Sequence, residues 1–240
     1  MTVTNPAAPP TIELLYGDCR TLLPTLPSAK YSLCVTDPPY RIQNWEHFGL
    51  KANRNYGDAP EPPTYESWIP EVKRLLEGNG QLIIFETPKN VQPLINVLTR
   101  YQFEVMTVGF WRVLNRSTGI AGPFYRNKID VWVWAVKNRP YYFDFHTGAD
   151  MDGGVMSEVW EECYVRATHG VFGAKPLRLI MRMIAVHSKP ESWVLDPFLG
   201  SGTAALAAQE LGRSFTGIEF RENLKALHRR ALKLDIKRFW

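Results

Sequence analysis

Two short stretches place chemically competent residues where the backbone is forced to turn. The first is Asp37-Pro38-Pro39-Tyr40. Two consecutive prolines cannot continue a hydrogen-bonded ladder, so the apolar run that ends at Thr36 must stop there. The prolines also stiffen the turn and so fix Asp37 relative to Tyr40. A carboxylate and a backbone carbonyl on one rigid turn can accept both hydrogens of an amino group, while the tyrosine ring offers a flat face to an extruded base. An aromatic amine is a poor nucleophile because its lone pair is delocalised into the ring. Accepting both N–H bonds favours the pyramidal form, whose lone pair can point at an electrophile. Such a reaction asks for position and electrostatics rather than a covalent nucleophile. In isolation the same tetrapeptide also reads as a strand-ending turn with a surface carboxylate.

The second stretch runs from Trp193 to Thr203. A β-rich run ends at Asp196, and Phe198, Gly200 and Gly202 form a turn before an Ala- and Leu-rich helix that starts at Thr203. Glycines allow a ligand to come close to the backbone, and a helix N-terminus offers free N–H groups beside it. The next apolar run, Phe215 to Ile218, ends in Glu219, a carboxylate able to accept from both hydroxyls of a ribose. Gly200, Gly202 and Ala205 also fit the dinucleotide pattern G-x-G-x-x-A. Asp196 directly before the turn favours a cationic ligand, such as a sulfonium bearing an amino group, over a pyrophosphate. A strand–turn–helix junction with no ligand is the third reading.

Both stretches need a sheet to hold them. Strand-like runs are expected at Ile12–Tyr16, Tyr31–Thr36, Gln81–Phe85, Phe103–Trp111, Ile129–Val136, Trp193–Leu195 and Phe215–Ile218. Helices are expected at Tyr65–Leu76, Val91–Arg100, Pro176–Val186, Thr203–Leu211 and Glu222–Leu232. The alternation predicts a doubly wound α/β fold with a mostly parallel sheet. The 240 residues suit a single domain. Arg41 to Pro63 and Asp144 to Ala174 are irregular, and long loops in small domains usually carry function.

Composition narrows the classes. Hydrophobic residues at 45% and charged residues at 22% describe a globular chain, and the net charge of +4 is compatible with a polyanionic partner without requiring one. Cys19, Cys34 and Cys163 are scattered, and neither they nor the five histidines show metal-ligand spacing, so no metal is expected. Cys34 reads as a small core residue. Nothing at the N-terminus has the pattern of a signal peptide and no apolar run is long enough for a membrane span, so a reducing cytoplasmic setting is expected. Trp45, His47, Phe48, Lys51 and Arg54 mix stacking and basic groups in the loop after Tyr40, which could close over DNA or be an ordinary solvated loop. Lys225, His228, Arg229, Arg230, Lys233, Lys237 and Arg238 read as a solvated helix face. Trp132, Trp134, Tyr141, Tyr142 and Phe143 read as sheet and core.

Together these residues resemble the circularly permuted β-group of DNA amino-methyltransferases, in which the catalytic turn precedes the cofactor turn. The resemblance spans nearly the whole chain, with Leu15-Tyr16-Gly17-Asp18, Trp68 to Phe85, Lys175-Pro176 and Gly212-Arg213 adding to the two turns. It implies a Rossmann-like sheet of seven strands, one of them antiparallel, and S-adenosylmethionine as cofactor. It implies that Asp37 and the Pro38 carbonyl accept from the target amine, that Pro39 stiffens the turn and that Tyr40 stacks on the base. Asp18 would lie near the cofactor's adenine and Glu219 on its ribose. Lys175, Asp196, Phe198, Gly200, Gly202 and Thr203 would surround the methionine part. Asp rather than Ser at position 37 favours the 6-amino group of adenine over the 4-amino group of cytosine. An RNA substrate and a non-catalytic nucleic-acid-binding subunit remain as alternatives. The implied partner is double-stranded DNA with a flipped base, in a restriction-modification system, a mobile element or alone, and homodimers occur in the family. The chain departs from the family at Trp111-Arg112 and His169-Gly170, and its candidate target-recognition region, embedded within residues 144–174, is short.

Overall fold

Alternating side chains decide which way each strand faces. Leu33, Val35, Ile83, Phe85, Trp132 and Trp134 point to one side of a central sheet, while Cys34, Leu82, Ile84, Val133 and Ala135 point to the other. Both faces are therefore apolar and both must be covered, which is the physical origin of a three-layer α/β arrangement. The computed structural model describes residues 9–39, 62–115, 128–151, 153–154, 156–165 and 174–232. The order is β1 (Ile12–Tyr16), α1 (Cys19–Leu22), β2 (Tyr31–Thr36), α2 (Ile69–Leu75), β3 (Leu76–Glu86), α3 (Val91–Arg100), β4 (Glu104–Val113) and β5 (Ile129–Val136). There follow α4 (Phe145–Met151), β6 (Val159–Glu162), α5 (Leu177–His187), β7 (Trp193–Asp196), α6 (Thr203–Glu210), β8 (Ser214–Glu219) and α7 (Lys225–Ala231). Helices α5 and α6 cover the first face; α2 and α3 cover the second.

The strands lie in the order β1-β8-β7-β2-β3-β5-β4-β6. Among the described strands, β5 alone runs antiparallel to its neighbours. Among the described residues the sheet thus has eight strands where seven were expected. The additional one is β6, inside the stretch that reads as irregular, and the same stretch holds α4. Neither has a period visible in sequence, because packing holds them. The Trp160 indole of β6 stacks on Trp132 with centroids 4.8 Å apart. Trp132 in turn lies across Gly109 of β4, where a Cβ would come within 2.0 Å of the indole. On α4, a Cβ at Gly148 would meet Met156 at 2.5 Å and Val186 of α5 at 3.1 Å.

One topological feature positions the site. From β7 the chain crosses through α6 to β8 on one side, while from β2 it crosses through α2 to β3 on the other. Strands β7 and β2 are adjacent, with Leu33 opposite Val194 and Cys34 opposite Leu195. The connections leaving their carboxyl ends diverge, and a crevice must open between them.

Candidate active site

Four neighbouring parallel strands each deliver one carboxylate to this crevice. In sheet order they are Asp18 after β1, Glu219 at the end of β8, Asp196 at the end of β7 and Asp37 after β2. Adjacent strands are about 4.8 Å apart, so the row extends over about 14 Å. All four line one cavity, open to solvent, which also takes in Pro39, Lys175, Phe198, Gly200 and Thr203. The two turns are some 160 residues apart in sequence, yet the Thr36 hydroxyl donates to Asp196 across 2.6 Å and joins them directly.

The carboxylates differ in their partners. Asp18 caps α1, accepting from the Arg20 backbone N–H at 2.9 Å and from its guanidinium at 3.0 Å. Hydrogen bonding to the Arg20 side chain holds the Asp18 carboxyl below its usual value. Glu219 repeats the arrangement, accepting from the Arg221 backbone N–H at 2.9 Å and from its Nε at 2.8 Å. Asp37 pairs with the Lys175 ammonium, which lies 4.9 Å from the centre of the Phe85 ring. Asp196 accepts from Thr36 and from the Phe198 N–H at 3.0 Å, and no cation among the described residues pairs with it. Burial pushes its carboxyl up to about 7, with the nearby Asp37 and Glu219 adding to the effect.

The glycine turn has the backbone that its composition demands. Gly200 has φ 54° and Gly202 φ 85°, both in the left-handed region. Gly202 caps α6, and Thr203 opens that helix with its hydroxyl 2.8 Å from Ser201 Oγ. Phe198 packs edge-on against Trp68, centroids 5.2 Å apart. Pro38 lies between the two cavity-lining residues Asp37 and Pro39. Tyr40 and the loop residues Trp45, His47, Phe48, Lys51 and Arg54 fall outside the described residues, as do Lys233, Lys237 and Arg238.

Several participants are absent from the sequence expectations. Arg20 and Arg221 share the spacing acid-x-Arg after two different strands, a signal present in sequence but readable only once those strands are neighbours. Phe220 leaves a half-exposed ring on the cavity wall directly after Glu219. Lys175, expected around the methionine part, also reaches Asp37. His228, expected on a solvated face, is buried, while Arg229 and Arg230 beside it are exposed.

The chain is similar to proteins described as DNA methylases or methyltransferases. The family model described as DNA methylase matches residues 31–229. The type II methyltransferase M2.DpnII of Streptococcus pneumoniae is 24% identical over 240 residues, covering 92% of this chain and 90% of that protein. The solved complex of M1.HpyAVI with SAM is similar with a TM-score of 0.72 at 22% identity, covering 93% of this chain and 100% of that one. The PvuII DNA methyltransferase, described as cytosine-N4-specific, gives a TM-score of 0.74 at 18% identity, covering 95% and 88%. At these identities the two structures establish a shared fold.

Proposed function

The chain belongs to the DNA methylase family, and from that premise we propose that it transfers a methyl group from S-adenosylmethionine to the 6-amino group of adenine in double-stranded DNA. The observation that carries this reading is the row of four carboxylates, with Asp196, which no cation among the described residues pairs, next to the prolyl turn that presents Asp37. A buried carboxylate that faces a cavity without a cation is a place for a positively charged ligand group.

The residues fit the cofactor along its length. Asp18 would take the adenine amine and Glu219 the ribose hydroxyls, with the Phe220 ring beside the base. Gly200, Gly202, Phe198, Thr203 and Asp196 would surround the methionine part. Bound there, S-adenosylmethionine would supply an electrophilic methyl on a sulfonium that carries its own leaving group.

The rest is the work of this chain's residues. Asp37 and the Pro38 carbonyl accept from the two N–H bonds of the target amine and aim its lone pair into the cavity. Lys175 holds the Asp37 carboxylate in place and neutralises part of the charge of the row. Thr36 keeps Asp196 and the catalytic turn at fixed separation. Tyr40 stacks on the extruded base. Asp at position 37 supports adenine over cytosine by resemblance to the family. Target recognition is assigned to segment 144–174, and the reading places the protein with DNA in the cytoplasm.

The test is incubation with methyl-labelled S-adenosylmethionine and unmethylated duplex DNA, followed by nucleoside mass spectrometry, with Asp37→Ala as control. Labelled 6-methyladenine that vanishes in the control is the expected result. Labelled 4-methylcytosine would keep the mechanism and overturn the base. Label in RNA but not DNA would overturn the substrate.

A further inference from the structure

His228 is on α7, outside the lining of the cavity, and the residue is 1% exposed. Its Nε2 lies 2.9 Å from the Gly200 carbonyl oxygen, and its Nδ1 lies 2.9 Å from the Tyr16 hydroxyl. These two contacts fix the tautomer. A carbonyl oxygen only accepts, so Nε2 carries the hydrogen; Nδ1 is then a bare acceptor, and the tyrosine hydroxyl donates to it. Burial favours this neutral ring.

The ring also fills the space beside the helix cap. A Cβ at Gly202 would come within 3.1 Å of His228 Cδ2. Tyr16 ends β1 opposite Glu219 and stacks on the imidazole, centroids 5.9 Å apart. One side chain therefore joins three parts of the cofactor cleft: the strand end before Asp18, the left-handed glycine turn and the last described helix. The Gly200 carbonyl is satisfied by a residue that does not line the cavity.

We propose that His228 is a positioning residue for the cofactor, a latch from α7 that holds the Gly200 peptide in its binding orientation and ties it to the end of β1. The proposal rests on the S-adenosylmethionine reading of the cleft. Without the latch, Gly200 regains the conformational freedom of a glycine, and the cofactor must order the turn as it binds.

The test is titration calorimetry with S-adenosylhomocysteine on the full chain and three variants, with the melting temperature and the methylation kinetics of each. His228→Ala is expected to raise Kd, and the KM for S-adenosylmethionine, about tenfold while kcat at saturating cofactor changes less. His228→Gln, whose amide can still donate to the Gly200 carbonyl, is expected to recover most of that loss. Tyr16→Phe removes the donor to Nδ1 and is expected to raise Kd about threefold. Parental affinity in a folded His228→Ala variant would overturn the latch, as would a glutamine variant as weak as the alanine one. If the unsubstituted chain fails to bind, the cofactor reading itself falls and takes the latch with it.

Discussion

Asp18 and Glu219, at the outer end of the cleft, each face an arginine two residues ahead in the chain. Asp37 and Asp196, at the inner end, are treated differently. The cation on Asp37 comes from Lys175, 138 residues away, and Asp196 has none among the described residues. The outer carboxylates are thus balanced by local chain geometry before any ligand arrives, which suits hydrogen bonding to neutral hydroxyls and amines. The inner pair carries charge that tertiary structure only partly offsets, which suits binding a cation and polarising a nucleophile. On the proposed reading, one row of acids built by one repeated strand end is divided between holding the neutral parts of the cofactor and meeting its charged end and the target amine.

That division is broken if an outer acid matters as much to the chemical step as an inner one. Asp37→Ala is expected to lower kcat by about 10²–10³-fold, with little change in the Kd for S-adenosylhomocysteine. Glu219→Ala is expected to act the other way round. On the proposed reading its hydrogen bonds to ribose would be charge-assisted, so its loss should weaken S-adenosylhomocysteine binding about 10- to 100-fold, with kcat at saturation much less affected. Calorimetry and single-turnover kinetics on the two variants separate these effects. Equal losses of kcat in both would erase the distinction.

The same comparison shows what sequence makes legible. Asp37, Asp196 and Glu219 stand out because Asp196 and Glu219 end apolar strands and Asp37 directly follows one, and strand ends are readable from alternation and breakers. The bounds of β1, β2, β5 and α3 follow for the same reason. The pairing of Lys175 with Asp37 does not, because it depends on a segment that enters the cleft from beyond β6. His228 was hidden by its neighbours: in a run of basic residues its burial depends on how α7 docks, which the run itself does not encode. Strand β6 was hidden because four residues show no usable period and the Trp160–Trp132 stack that anchors it is a tertiary contact. What depends on local backbone chemistry is visible, and what depends on docking is not.

A finer test uses pH. Burial sets the Asp196 carboxyl at about 7, above its value of about 3.9 in an unfolded chain. Between these values the folded protein holds a proton there that the unfolded chain does not, so this group favours folding toward low pH, and the advantage is lost as pH rises through about 7. A bound cation favours the ionised carboxylate, so the ligand must displace that proton. S-adenosylmethionine should therefore bind about tenfold more weakly at about pH 6 than at about pH 8, whereas S-adenosylhomocysteine, lacking the sulfonium charge, should change less. Asp196→Asn should flatten both the binding profile and the melting temperature over that window. An unchanged profile in the asparagine variant would place the titrating group elsewhere.

The smallest effect belongs to the arginines, and it sharpens the outer half of the comparison. Arg20 is partly exposed, and an ion pair in contact with solvent contributes little net free energy. On the proposed reading it acts from the cavity wall by fixing the carboxylate that it faces. Arg20→Ala should raise the Kd for S-adenosylhomocysteine by no more than about fivefold, and high salt, which screens the pair in the parent, should shrink the difference between the two proteins. Arg221 is the more buried of the two and its partner Glu219 is almost fully buried, so Arg221→Ala should cost more and respond less to salt. If the two variants were equal in size and salt response, the resemblance between the two acid-x-Arg turns would extend to their energetics, and the depth of each pair in the cleft would not matter.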